Sequence, residues 1–337
     1  MDALLISVVI PVYNGGAAFH QCLEALAQSY YPHWECIVVD DGSTDGSADV
    51  AASFGYHVLH TSHSRSGPAV ARNLGARAAQ GEILFFTDAD VALHPNSLSI
   101  AAATLSGSPQ VDACFGSYDD EPSDPGFLSQ YKNLLHHYVH QRASTEASTF
   151  WSGCGAIRRD VFQAVGGYRE TFAEPSIEDI ELGYRLRKAG YHIRLEKRLQ
   201  AKHLKRWTPG SLLRSDFFHR GIPWTRLIWQ QRWFFNDLNL QRGDRLSVMI
   251  LYLLLASLFV SVRWPRWVGL SALLAWLLLW LNLPLYRFFA RKRGWRFALM
   301  TIPWHWFYYF YSGLAFVVGT AQYFVARFRS HPRFHVM

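Results

Sequence analysis

Residues 1–205 alternate short apolar runs with polar turns, whereas residues 246–326 are nearly uncharged over long stretches. In the first part, positions 7–11, 36–39, 56–59 and 83–87 are apolar runs of strand length. Between them, 17–29 places Phe19, Leu23 and Leu26 at helical spacing, and 68–80 does the same with Ala71, Leu74 and Ala78. Strands alternating with helices predict βαβ units and a mostly parallel sheet, with ligands bound beyond the carboxyl ends of its strands. Tyr13-Asn14, Asp40-Asp41 and Asp88 with Asp90 follow three of these runs, so three strands are expected to deliver polar groups to one rim. Further on, the pattern predicts a strand over 111–118, a helix over 126–141, and a loop at 153–156 ahead of a helix over 159–165. It then predicts a helix over 177–189 closed by Gly190, and short strands at 192–195 and 200–204.

The later runs, 246–262, 268–289 and 303–325, have about the length that crosses a bilayer. The third is rich in Trp and Tyr near its start, as at a water–lipid interface. Arg291-Lys292-Arg293 predicts a cytoplasmic loop between the second and third runs. Three spans are expected. The alternative is two spans plus a re-entrant or interfacial helix, because a third span would put the basic stretch 327–333 outside. Segment 211–237 mixes Phe217, Trp224, Leu227, Trp233 and Phe234 with Arg214, Arg220, Arg226 and Arg232. That mixture predicts an amphipathic helix on the membrane surface, the alternative being a core-packed helix with one solvated face. The expected organisation is a catalytic domain (1–210), an interfacial segment (211–245), a transmembrane region of two or three helices (246–326) and a basic tail (327–337).

The net charge of +7 sharpens this picture, because the basic residues crowd into 187–245, 287–296 and 327–333, beside the apolar runs. That placement suits anionic lipid headgroups, and no nucleic-acid motif accompanies it. Cys22, Cys36, Cys114 and Cys154 are scattered without a Cys-x-x-Cys pair, as expected of reduced thiols in a cytosolic domain. Residues 1–5 are too short for a secretory signal, so the large domain is expected in the cytoplasm.

The candidate chemistry starts from Asp88 and Asp90. Two residues apart on an extended backbone, their side chains point the same way. Adjacent carboxylates repel unless a cation lies between them. Mg²⁺ or Mn²⁺, which takes oxygen ligands and bridges phosphates, is the candidate. A solvated loop with two acids is the alternative. Ser176-Ile177-Glu178-Asp179 is open in the same way, since acids in that pattern also suit the first turn of a helix.

Five segments occur in order: Ser-Val-Val-Ile-Pro-Val-Tyr-Asn (7–14), Val-Val-Asp-Asp-Gly-Ser-Thr-Asp (38–45), Ala-Arg-Asn (71–73), Thr-Asp-Ala-Asp (87–90) and Glu-Asp (178–179). Together they resemble family 2 glycosyltransferases of the GT-A fold, over about residues 5–205. The resemblance implies a GT-A-type, Rossmann-like α/β fold, a mixed, mostly parallel sheet with flanking helices, here followed by an α-helical membrane region. It implies an inverting hexosyltransferase that moves a sugar from a nucleotide-diphosphate donor, most readily a UDP-sugar, to a lipid or lipid-linked acceptor. The enzyme would be multi-pass in an inner or plasma membrane and act at its cytoplasmic face. Pro11, Tyr13, Asp41, Arg72 and Asp88 would bind the nucleotide-sugar. Asp88, Asp90 and His203 would hold Mg²⁺ or Mn²⁺. Asp179 would be the general base, and Gly153, Cys154, Glu178 and Trp224 would face the acceptor. Lys205 and Arg206 could meet the diphosphate or a lipid phosphate. The bland alternatives are a turn aspartate at 41, a solvated helix arginine at 72 and a surface strand histidine at 203.

Processive synthases of this family carry Gln-x-x-Arg-Trp, whereas this chain has Gln230-Gln231-Arg232-Trp233, one place short. A single-addition enzyme is therefore expected, with a processive synthase or a non-catalytic membrane scaffold as alternatives. A dinucleotide-dependent oxidoreductase would need Gly-x-Gly-x-x-Gly where the chain has Asn14-Gly15-Gly16.

Overall fold

The computed structural model describes residues 4–172, 174–233, 238 and 241–330. They divide into two compact units, Met1–Thr208 and Pro209–Met337. The first unit holds β1 (Ile6–Val12), α1 (Gly16–Ala27), β2 (Trp34–Asp40), α2 (Ser47–Ser53), β3 (His57–His60), α3 (Pro68–Ala78), β4 (Ile83–Thr87), β5 (Val91–Leu93), α4 (Ser97–Gly107), β6 (Ala113–Tyr118), α5 (Phe127–Arg142), β7 (Glu146–Ala147), β8 (Cys154–Arg158), α6 (Arg159–Ala164), α7 (Glu178–Lys188) and β9 (Ile193–His203).

These nine strands form one sheet in the order β3-β2-β1-β4-β8-β6-β9-β5, with β7 paired to β9. The first four pair in parallel, as Val9 does with Ile37 on one side and Phe86 on the other. The central residues of β1, β2 and β4 are buried on both faces, which is why these strands read as continuous apolar runs rather than alternating ones. Beyond β4 the sheet is mixed. β8 runs antiparallel to both β4 and β6, while β6 and β9 are parallel.

Two expectations change here. The loop expected at 153–156 is largely strand: Cys154 pairs with Thr87 and Gly155 with Phe86 in the middle of the sheet. Small residues there admit close packing rather than a turn. The two short strands expected at 192–195 and 200–204 are one strand, β9, whose pairing with β6 shifts register between Phe115 and Ser117. Its far end pairs with β5, His203 lying opposite Val91.

The second unit is helical: α8 (Pro209–Arg214), a π-helical stretch (Ser215–Gly221), α9 (Ile222–Gln231), α10 (Arg242–Arg263) and α11 (Val268–Ser330). α10 and the stretch Pro265–Arg329 are long and apolar enough to cross a membrane, by length and composition. α11 leaves helical geometry at Gly294, where φ is 83°. Only glycine adopts that conformation readily, so one residue replaces the basic loop expected at 291–293. Leu278 and Tyr309, nearly equidistant from Gly294, meet in a cluster with Ile250, Leu251 and Leu254 of α10. The chain therefore doubles back at the glycine and both arms pack on α10.

In the segment expected on a membrane surface, 211–237, Phe218 and Trp233 are exposed while part of the apolar side packs within the chain. α9 buries Ile222, Thr225, Leu227 and Ile228. Trp229 stacks on Tyr323 and donates its indole N–H to Thr320 Oγ1 at 2.9 Å. Phe234 and its neighbours to 237, and residues 331–337 of the expected tail, lie outside the described residues.

Candidate active site

The polar residues of the first unit gather where β1, β2 and β4 end. Asp88 lies one residue beyond β4, and Asp90 lies in the turn that follows. Val91 donates its N–H to Asp88 O at 3.1 Å. The backbone between the two acids therefore turns, and the extended geometry expected for the pair is absent. The two carboxylates also have different cations. Arg72 Nη2 meets Asp88 Oδ1 at 2.7 Å, whereas His203 Nε2 and Lys205 Nζ stand 3.9 and 4.0 Å from Asp90 Oδ2. Desolvation raises the partly exposed Asp90 carboxyl above the ordinary aspartate range, against the opposing pull of Lys205 and a backbone hydrogen bond.

Arg72 sits buried on α3, which excludes the solvated helix arginine of the bland alternative. Its Nη1 donates to Glu178 Oε1 at 2.9 Å while its Nη2 holds Asp88. Burial alone would lower its pKa, but the two carboxylates outweigh that and raise it, so the charge is permanent. Its Nε has no hydrogen-bond partner among the described residues.

Glu178 and Asp179 open α7. Glu178 is buried, accepting from Ser176 N at 2.8 Å as well as from Arg72. Asp179 stands beside Trp151 and Ser152, with the Ser152 N–H 3.4 Å from its Oδ2 and the Ile180 N–H 2.7 Å from its Oδ1. Gly183 sets this approach. A Cβ there would lie 2.4 Å from the Phe150 nitrogen, so α7 rests on the backbone of the segment that carries Ser152.

Asp41 is buried and committed to the loop before α3. It accepts from Thr61 Oγ1, Ser66 N and Gly67 N at 2.7–2.8 Å. It thus shapes the wall on which Tyr13 lies, partly exposed, with the Arg65 guanidinium 5.4 Å from its ring centroid. Pro11 pairs with Val39 in the sheet. The loop residues Thr61, Ser66 and Arg65 were not singled out from sequence. Ser66-Gly67-Pro68, with proline at the first helical position, was the available signal.

His203 is buried at the end of β9, its ring stacked on Tyr118 at 4.1 Å with 12° between planes. Tyr118 in turn contacts His136 and Trp151, a wall of rings that pairwise sequence spacing does not reveal. Cys154, expected on the acceptor side, is fully buried in β8. Burial drives its thiol pKa up, as it does that of Cys22. Gly153 lends its carbonyl to Thr87 Oγ1 at 3.1 Å. Trp224 lies on α9 in the second unit.

The donors around Asp88, Asp90 and His203 suit a hard divalent cation: carboxylate oxygens and one imidazole, with Asp88 Oδ2 outside the Arg72 bond. Among the described residues no three His, Cys, Asp or Glu side chains are grouped so that they could hold a metal ion.

Residues 7–166 match the family model described as Glycosyl transferase family 2. The glycosyltransferase AglE of Haloferax volcanii is 27% identical over 253 residues, covering 73% of this chain and 80% of that protein. Several other curated relatives are spanned over less than half of their own length. In fold, the chain is similar to the mannosyltransferase PcManGT from Pyrobaculum calidifontis in complex with GDP-Man and Mn²⁺. The TM-score is 0.53 at 17% identity, over 95% of this chain and 87% of that one. It is also similar to S. aureus TarS 1–349 in complex with UDP-GlcNAc, with TM-score 0.52 and 20% identity over 68% and 66%. The mixed sheet with flanking helices is the GT-A arrangement of these neighbours.

Proposed function

We propose that this chain, a glycosyltransferase with a family 2 domain, is inverting and metal-dependent and moves a sugar from a nucleotide-diphosphate donor, UDP-linked in the first instance, to a lipid or lipid-linked acceptor. One observation carries the reading. Asp88, at the end of a central strand, and Glu178-Asp179, at the start of a helix ninety positions later in the chain, are drawn to one place by Arg72. Neighbours of this fold bind UDP-GlcNAc and GDP-Man, which supports a nucleotide-sugar donor here.

In this reading the nucleoside lies against Tyr13 and Pro11, on the wall that Asp41 organises. Asp88 and Asp90, with His203, would hold the cation. Bound Mg²⁺ or Mn²⁺ would neutralise charge on the departing nucleoside diphosphate as a Lewis acid. The acceptor hydroxyl attacks the anomeric carbon from the side opposite the leaving group, and its proton passes to Asp179. The N–H groups of Ser152 and Ile180 beside that carboxylate keep its oxygens aimed. The lipid character of the acceptor and a cytoplasmic membrane location rest on the second unit. There α10 and α11 expose Met249, Leu253, Phe259, Val262, Trp276 and Trp280, an apolar surface of the kind that lipid covers.

The deciding experiment is a panel of nucleotide-sugars assayed for nucleoside diphosphate release, with purified lipid acceptors, with and without Mn²⁺. Mn²⁺-dependent release from at least one donor is expected. No release from any of them overturns the reading.

A further inference from the structure

The motif Ala71-Arg72-Asn73 makes or breaks no bond in the chemistry above, yet its two polar members are tightly held. Arg72 donates from Nη2 to Asp88 and from Nη1 to Glu178, partners 16 and 106 positions away in the chain. The Tyr168 ring lies 5.5 Å from its guanidinium carbon. Asn73 fixes that tyrosine from both sides, donating Nδ2 to Tyr168 O and accepting Tyr168 N at Oδ1, both at 2.8 Å. Tyr168 is wedged further against Phe86 of β4, edge to face at 5.2 Å. The edges of the guanidinium are thus set by two carboxylates, while a ring clamped by the next residue lies beside it.

We propose that Arg72 is a positioning residue that couples the two halves of the transfer reaction: one guanidinium orients the cation-side carboxylate Asp88 and also pins the first turn of α7, which carries Asp179. The inference rests on the assignment of Asp88 to the cation and Asp179 to the acceptor proton. A planar fork with several N–H donors can hold two carboxylates at a fixed angle, which an ammonium cannot. Glu178 has a matching task. It balances the guanidinium and anchors it, so that Asp88 is held from a fixed point. Its second oxygen accepts from Ser176 N, which ties that anchor to the segment entering α7.

The test uses Arg72→Lys, Glu178→Gln and the double variant in the full-length protein. Mn²⁺ affinity is read without substrates, by the electron paramagnetic resonance signal of free Mn²⁺. Arg72→Lys is expected to weaken Mn²⁺ binding about tenfold, the scale of lost outer contacts at metal sites, and to lower kcat at saturating Mn²⁺ by a similar factor. Glu178→Gln, which changes a residue with no bond to Asp88, is expected to weaken Mn²⁺ binding severalfold. The double variant should be no worse than Arg72→Lys, because both changes break one unit. Additive losses, or an unchanged Mn²⁺ affinity in Glu178→Gln, overturn the coupling. So does a fall in Tm with Mn²⁺ affinity intact, which marks a merely structural ion pair.

Amide hydrogen exchange separates this inference from the functional reading. In Arg72→Lys, exchange should quicken in both 88–91 and 178–181 while β1 and β2 stay protected. If the wild-type protein binds no Mn²⁺, the metal assignment fails, and the exchange result still decides the coupling. Loosening of one segment alone overturns it.

Discussion

Both units of this glycosyltransferase bury polar side chains, but of different kinds. In the first unit some of the buried groups are charges matched by opposite charges: Arg72 with Asp88 and Glu178, Glu181 with Arg169 and Arg185. In the second unit they include hydroxyls and amides that bridge neighbouring helices. Ser257 meets Ser271 at 2.9 Å, and Asn282 links Ser247 to the Tyr309 hydroxyl. Burying a charge is unfavourable unless it is paired, so a fold concentrates charges where chemistry needs them. Neutral bridges between helices need no such purpose. They lock packing, and each contributes about 1 kcal/mol or less where lipid is the surroundings.

The largest expected effect lies at the charged end of this contrast. Asp179→Asn should lower kcat by about 10²–10⁴-fold while donor KM stays near the wild-type value, measured by steady-state transfer. Transfer at the wild-type rate would remove Asp179 from proton chemistry. Asp88→Ala should lower kcat/KM by about a hundredfold or more and abolish Mn²⁺-dependent donor binding in calorimetry. Donor binding that still responds to Mn²⁺ would place the cation elsewhere.

A smaller effect follows from the partial burial of Asp90. Its raised pKa means that the proton is held to higher pH than in an ordinary aspartate, so protons compete with the cation. Mn²⁺ affinity should therefore be full above that raised pKa and fall as pH drops through it, by up to about tenfold per pH unit. A titration from about pH 8 to about pH 5 reads it. A flat profile would detach Asp90 from the cation.

The neutral end of the contrast predicts stability changes without kinetic ones. Asn282→Leu should lower Tm in detergent by a few degrees, for a loss of about 1 kcal/mol, and leave kcat per folded molecule unchanged. A large kcat loss would mean that the second unit takes part in chemistry. The smallest expected effect is none. Cys22 and Cys154 are buried with thiols pushed well above the ordinary range, so neither should be alkylated in the native protein at about pH 8 by mass spectrometry.

Much of the fold was legible because its signals are local. The runs that became β1, β2, β4 and α3 carry their own periodicity, and the acids after β4 announced a site. Three features were not legible. The segment 153–156 looked like a loop because glycine is common in turns, and only pairing with β4 and β6 makes it a strand. The two carboxylate partners of Arg72 were hidden because helical position does not show what covers a side chain. The partners of Trp229 on α9, Thr320 to Phe324, could not be read because they lie about ninety positions away.

The sequence by itself determined the alternation of strands and helices, the carboxylates at the rim and the apolar helices, because each depends on neighbours within a few residues. Tertiary structure alone decided which cation each carboxylate meets. Asp88 and Asp90 are two places apart in the chain, yet a turn at Ala89 sends one to Arg72 and leaves the other near His203 and Lys205. A charge is stabilised by whatever opposite charge the fold brings within a few ångströms, and that distance is not written in sequence spacing.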